Sequence, residues 1–188
     1  WQGSGGFYFG NKAFGGNPRS NSPFDHGIYA HAWYCIAKVN KALNTFEEYF
    51  TGTKEEHDLI LGQLYFFRAW WHFEMMMWLG GLPYVDQEFS ASETPQLERL
   101  SYLECADKVA EDFSRAASLL PVDWDKTTAG KKTMGHNELR INKITALCYL
   151  GKNYLWAASP LMQHGAQTGG ARTYDYDAVY TSKAADAL

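Results

Sequence analysis

The stretch that decides the fold runs from Gly62 to Gln87, "GQLYFFRAWWHFEMMMWLGGLPYVDQ". It reads as one long helix that stops at Gly80-Gly81-Leu82-Pro83. So many aromatic and methionine side chains on one helix admit three readings: a membrane span, a ligand box, or a helix buried between two neighbours. A bilayer span needs roughly twenty uninterrupted apolar residues. Here Gln63, Arg68, His72 and Glu74 interrupt the run, on different faces, which excludes a span. Met75, Met76 and Met77 read as adaptable core filler rather than a ligand box. A soluble helix that is apolar on most faces must be covered on more than one side, as happens when helical repeats stack. The Gly-Gly-Leu-Pro exit fits such a helix. A glycine past the end accepts a left-handed conformation, and the proline prevents continuation.

The spacing around this helix agrees with stacking. Leu61-Gly62-x-x-Tyr65 matches part of the tetratricopeptide helix A pattern, in which glycine lets a neighbouring helix approach closely. Leu150-Gly151-x-x-Tyr154 repeats it, and Phe113, Ala116 and Pro121 stand at helix B offsets. The connection from Gly80 to Leu100 is far longer than the tight turn of a standard repeat. Helical periodicity begins at Asp25 and carries Ile28, Trp33, Ile36, Val39, Leu43, Phe46 and Phe50, with Gly52 as a stop. A second helix covers Lys54 to Leu79. A third opens on a Ser101–Glu104 capping box and ends before Pro121. A fourth covers Asn142 to Ser159, stopped by Pro160, and a fifth begins near Tyr176. "DWDKTTAGKKTMGHNE" (Asp123–Glu138) and "HGAQTGGAR" (His164–Arg172) read as polar loops. The expected fold is all-α, made of tetratricopeptide-like antiparallel helical pairs with long loop insertions. Residues 25–188 form its helical domain, and residues 1–24 an irregular segment rich in Gly, Asn and aromatic residues. Both ends read as cuts in a longer protein.

Composition removes several function classes. The 188 residues are 46% hydrophobic and 16% aromatic, with a formal net charge of -4. No Lys/Arg run exists, so nucleic acid lacks its electrostatic footprint. Cys35, Cys105 and Cys148 are too far apart for a disulfide framework or a metal pair, and read as small buried helix residues. The six histidines are scattered, and His26 with His31 lacks the i,i+4 spacing of a helical zinc pair. Asp123-Trp124-Asp125 fails as a calcium loop, because glycine is missing at its sixth position and Met134 stands where a bidentate Glu belongs. It reads as solvated surface. No catalytic constellation appears, so neither enzyme activity nor a cofactor nor a metal is expected. Arg68 reads as the one charged residue deep in the apolar helix, paired structurally with a carboxylate or with helix-end carbonyls.

Four segments in order carry a family resemblance. "YAHAWYCIAKVNKAL" (Tyr29–Leu43) holds Asn40 in mid-helix. The Arg68-Ala69 helix follows with its Gly-Gly-x-Pro exit. Then comes "RLSYLECADKVAEDFSRAASLLP" (Arg99–Pro121), with Asp112, Ala116 and a Leu-Pro ending. Last is "LRINKITALCYLGKNYLWAASPLM" (Leu139–Met162), closing in Ala-Ala-Ser-Pro. Together they resemble the SusD/RagB-like outer-membrane nutrient-binding proteins of Bacteroidetes, over residues from about 28 to 188. The resemblance implies a lipoprotein at the outer-membrane cell surface, built on tetratricopeptide-like helices. It would bind oligosaccharide, or peptide in the RagB branch, and cover a SusC-like TonB-dependent transporter. Contact with the membrane would run only through a lipid anchor outside this chain, which has no lipobox cysteine. The large second half of such proteins is also not here.

Glycan recognition needs flat aromatic faces for sugar C–H groups, flanked by amides or Arg for the hydroxyls. The helices are poor candidates because their rings pack one another. The first segment suits better, with Trp1, Tyr8, Phe9, Asn11, Asn17 and Arg19 as candidate ligand contacts. The competing reading has these aromatic residues pinning the segment to the helices. The expected function is non-enzymatic capture of oligosaccharide for import. The alternatives are a peptide-binding RagB-like protein, or a tetratricopeptide-type scaffold whose groove is lined by the helices themselves.

Overall fold

A computed structural model describes residues 27–90, 92–164 and 175–188. It contains helices α1 (Gly27–Tyr49), α2 (Lys54–Leu79), α3 (Tyr102–Leu119), α4 (Thr128–Lys131), α5 (Lys143–Ala158), α6 (Pro160–His164) and α7 (Ala178–Ala187). A 3-10 turn, Trp124–Lys126, precedes α4, and no strand occurs among the described residues. The fold is all-α and tetratricopeptide-like. Along the series α1, α2, α3, α5, α7 each helix packs on the next. α3 lies against both α2 and α5, and the rings of Phe66 and Phe73 on α2 meet Tyr149 on α5.

Local chemistry sets the helix limits. The Ser101–Glu104 capping box is present at α3, and α2 has an equivalent one between Thr53 and Glu56. Each satisfies amide donors that a first turn leaves open. Asn142 caps α5 by accepting from the Thr145 amide at 2.9 Å. At the exit of α2, Gly80 has φ +75° and ψ -148°. The positive φ agrees with the reading, but ψ lies outside the left-handed helical region and in space open essentially to glycine alone. Gly81 is tighter, since a Cβ there would stand 2.0 Å from the Leu100 carbonyl oxygen. Arg99 closes the end of the helix. Its Nε donates to the Gly81 carbonyl at 2.6 Å and its Nη2 to the Leu79 carbonyl at 2.8 Å, which satisfies acceptors that the last turn leaves open.

The two repeat-pattern glycines occupy equivalent places. A Cβ on Gly62 would lie 2.8 Å from Leu120 Cγ, beyond the end of α3, and one on Gly151 would lie 2.6 Å from Leu188 Cγ, beyond the end of α7. Close helix approach is therefore the use of glycine at both.

Several expectations need correction. α7 begins at Ala178, two residues later than read. Residues 123–138 are not a plain polar loop. The buried Trp124 anchors them, donating its indole N–H to the Ile141 carbonyl at 2.8 Å with the Arg140 guanidinium 4.9 Å from its ring centroid. One aromatic ring with a place to bury outweighs the polar composition around it. Pro160 ends α5 but also opens α6, because its fixed φ and missing N–H suit a first helical position. Of the cysteines only Cys105 is buried; Cys35 is half-buried and Cys148 is exposed. The apolar helix is covered on more than one side, as read, by α1, α3 and α5. Phe66, Phe73, Met75 and Met76 are buried, whereas Phe67 and Trp78 are 39% and 44% exposed. Nor is Arg68 alone among charges, since Glu74 is only 7% exposed.

Candidate functional site

A buried polar cluster organises the surface beside α1. Arg68 of α2 meets Asp112 of α3 as a fork, Nε to Oδ2 at 2.6 Å and Nη2 to Oδ1 at 2.8 Å. Its Nη1 donates to Asn40 Oδ1 at 3.2 Å and to the Asp86 carbonyl at 3.1 Å. Burial works against the guanidinium charge, but the hydrogen bonds and charge of Asp112 outweigh it, so Arg68 holds its proton more tightly than usual. Tyr84 Oη donates to Asp112 Oδ2 at 2.7 Å, and burial together with that carboxylate pushes its ionisation up. The expected structural pairing of Arg68 is met.

The cluster pins the chain that leaves α2. Asn40 Nδ2 donates to the Val85 and Gln87 carbonyls at 2.9 and 3.1 Å. His72 Nδ1–H donates to the Arg68 carbonyl at 2.8 Å, and His72 Nε2 accepts from the Val85 amide at 3.1 Å. These two bonds set the neutral tautomer, and burial lowers the His72 pKa to about 4. The Tyr84 ring stacks on this imidazole at 4.0 Å. An extended segment that would otherwise have few contacts is thus bonded to α1, α2 and α3 together.

Two grooves flank the pinned segment. The first, of about 650 Å³, lies between α1 and residues 83–97, with Trp33, Tyr34 and Phe89 as its rings and Lys38, Lys41, Gln87 and Glu88 as polar groups. The second, of about 510 Å³, is polar and includes Asn44, Tyr65, Asp86, Gln87, Glu88 and Arg115. Asn44 donates to Glu88 Oε2 at 3.0 Å, and Arg115 stacks 5.4 Å from the Tyr65 ring centroid. The first groove carries rings beside amide, cation and carboxylate, the set that a polyhydroxylated ligand needs. Its volume falls within the usual 300–1,000 Å³ or so of ligand sites.

Trp1, Tyr8, Phe9, Asn11, Asn17 and Arg19 lie outside the described residues. Sequence reasoning did not find the groove residues. Tyr34 was hidden inside a helical pattern, and Gln87, Glu88 and Phe89 inside an insert without periodicity. Among the described residues no cluster of His, Cys, Asp or Glu could hold a metal ion, and no helix is long and apolar enough to cross a membrane.

The profile of a SusD-like family, described as starch-binding and associating with the outer membrane, matches residues 23–155. The chain belongs to the SusD-like family. Solved SusD-like structures share its fold. A SusD-like protein of Bacteroides fragilis superposes with a TM-score of 0.60 at 22% identity, over 72% of this chain and 25% of its own. A SusD-like carbohydrate binding protein of the same species gives 0.59 at 18% identity, over 79% and 28%. A laminarin binding SusD-like protein gives 0.60 at 15% identity, over 78% and 32%. At such identities the likeness bears on fold alone. This SusD-like chain spans about a quarter to a third of the length of those structures. No curated protein matches it closely.

Proposed function

We propose that this SusD-like chain belongs to a non-enzymatic protein that captures oligosaccharide at the cell surface. The captured ligand passes to import through a SusC-like TonB-dependent transporter, and a lipid anchor outside this chain holds the protein at the outer membrane. The observation that carries the reading is the match of residues 23–155 to a family described as starch-binding and associating with the outer membrane. The first groove supports it chemically. Tyr34 and Phe89 offer rings to sugar C–H faces, while Gln87, Glu88 and Lys41 offer hydroxyl partners. Trp1, Tyr8, Phe9, Asn11, Asn17 and Arg19 are proposed as further contacts on their residue types.

Calorimetric titration against α-1,4- and β-1,3-glucan oligosaccharides and short peptides tests the reading. Sugar binding is expected, weakened about tenfold, or 1.4 kcal/mol, by Tyr34→Ala in the groove and by Trp1→Ala or Tyr8→Ala in the first segment. Binding of peptides with no response to sugar moves the chain to the RagB-like reading. Silence toward every oligosaccharide refutes capture by this chain.

A further inference from the structure

The face of α2 turned away from α3 carries an aromatic surface with a carboxylate at its centre. The helical repeat puts Phe67, Trp70, Trp71, Glu74 and Trp78 on one side of α2, while Gly62, Ala69 and Met76 are buried on the side of α3. Phe67 and Trp78 keep large exposed areas, and Trp70 and Trp71 are half-buried, meeting edge to face at 4.6 Å. On the adjacent α5, Cys148, Lys152 and Leu155 are exposed.

Glu74 sets this surface apart from ordinary leftover apolar area. It is more than nine-tenths buried, yet its carboxylate has no hydrogen bond among the described residues. Among the described residues, the side-chain atoms sealed from solvent without a partner are Tyr102 Oη and Asn153 Oδ1. The Glu74 oxygens are not among them, so they keep a route to the surface. Their nearest compensation is the charge of Lys152, whose Nζ lies 5.4 Å from the ring centroids of both Phe73 and Tyr149. Burial without a hydrogen bond raises the proton affinity of Glu74 and leaves an acceptor that a donor ligand would satisfy. A sugar fits each feature. Its C–H face stacks on a flat ring, its hydroxyl hydrogens find Glu74, and its hydroxyl oxygens accept from Lys152. A phosphorylated or carboxylated ligand would meet the Glu74 charge instead.

We propose that this face of α2, centred on Phe67, Trp70 and Glu74 with Lys152 at its edge, is a second contact surface for neutral oligosaccharide, sharing no residue with the groove beside α1. The proposal rests on the oligosaccharide-capture reading.

The test uses the full chain and the α-1,4- or β-1,3-glucan heptasaccharide that it binds more tightly. Phe67→Ala, Glu74→Gln and Tyr34→Ala are compared by titration, with hydroxyl-radical labelling of ring side chains read by mass spectrometry. Phe67→Ala and Glu74→Gln should each weaken binding about tenfold, and sugar should protect Phe67 and Trp70 from labelling even in Tyr34→Ala. If the unmodified chain binds sugar, the variants bind as tightly, and Phe67 and Trp70 label equally with and without it, the second surface is overturned while capture stands. If the unmodified chain binds no oligosaccharide, both fall. Protection of Phe67 and Trp70 by peptide alone also overturns the proposal and makes the face a peptide surface. Should Phe67→Ala fail to fold, Glu74→Gln and the labelling of the unmodified chain decide.

Discussion

Replacing Asp112 with alanine tests the buried cluster most directly. Arg68 is 6% exposed and Asp112 3%, so the substitution strands a guanidinium in the interior with Asn40 Oδ1 and the Asp86 carbonyl as acceptors and the Tyr65 ring 5.5 Å away. Breaking a buried pair from one side costs about 3–5 kcal/mol. Tyr84 also loses its acceptor, adding roughly 1 kcal/mol. A domain of this size moves about 2–4 °C in Tm per kcal/mol, so a fall of roughly 8–24 °C is expected. Urea denaturation and calorimetry of Asp112→Ala, Arg68→Met and Arg68→Met/Asp112→Ala form a closed cycle. The double variant should recover most of the loss, because removing both charges leaves no uncompensated ion. A cost for Asp112→Ala below about 1 kcal/mol, or a double variant no more stable than the sum of its parts predicts, would refute the account of the pair as the clamp on residues 83–88.

Three further outcomes follow from the same geometry. His72 has a folded pKa of about 4 against a usual 6.5, so the unfolded chain binds the extra proton between those values. Stability is complete above pH 6.5 and falls by roughly 3 kcal/mol as pH approaches 4, and His72→Gln should flatten that part of the denaturation-versus-pH curve. Gly62→Ala forces Leu120 to move and should cost about 1–3 kcal/mol in chemical denaturation. Gly81→Ala, aimed at the Leu100 carbonyl oxygen itself, should cost more, since backbone cannot step aside as a side chain can. Thiol titration of the native protein should modify Cys148 rapidly and Cys105 only on unfolding. Burial holds the Cys105 thiol above its usual range.

Much of the architecture was legible because its signals are local. The Ser101–Glu104 box, the glycine exit of α2 and the 3.6-residue periods each act within a few residues, and each stands where it was read. Gly62 and Gly151 were legible as sites of close approach because a repeat pattern reports packing indirectly. The reading of residues 123–138 failed because a polar average concealed one buried ring, Trp124. The cysteines were misjudged because Cys148 lies in an apolar helix but on its outward side.

By itself, then, the sequence determined an all-α chain of stacked helices, the ends of α2, α3 and α5, and the need of Arg68 for a partner. Tertiary structure alone decided that the partner is Asp112, that Asn40 and His72 grip the backbone of residues 85–87, and that grooves open on both sides of that segment. It also decided that Glu74 is buried on α2 among half-buried and exposed rings. Helix formation depends on hydrogen bonds four residues apart. The pairings that build the candidate surfaces join residues more than ten positions apart, as in Asn40 with Val85 and Arg68 with Asp112. Their geometry exists only once the helices have packed.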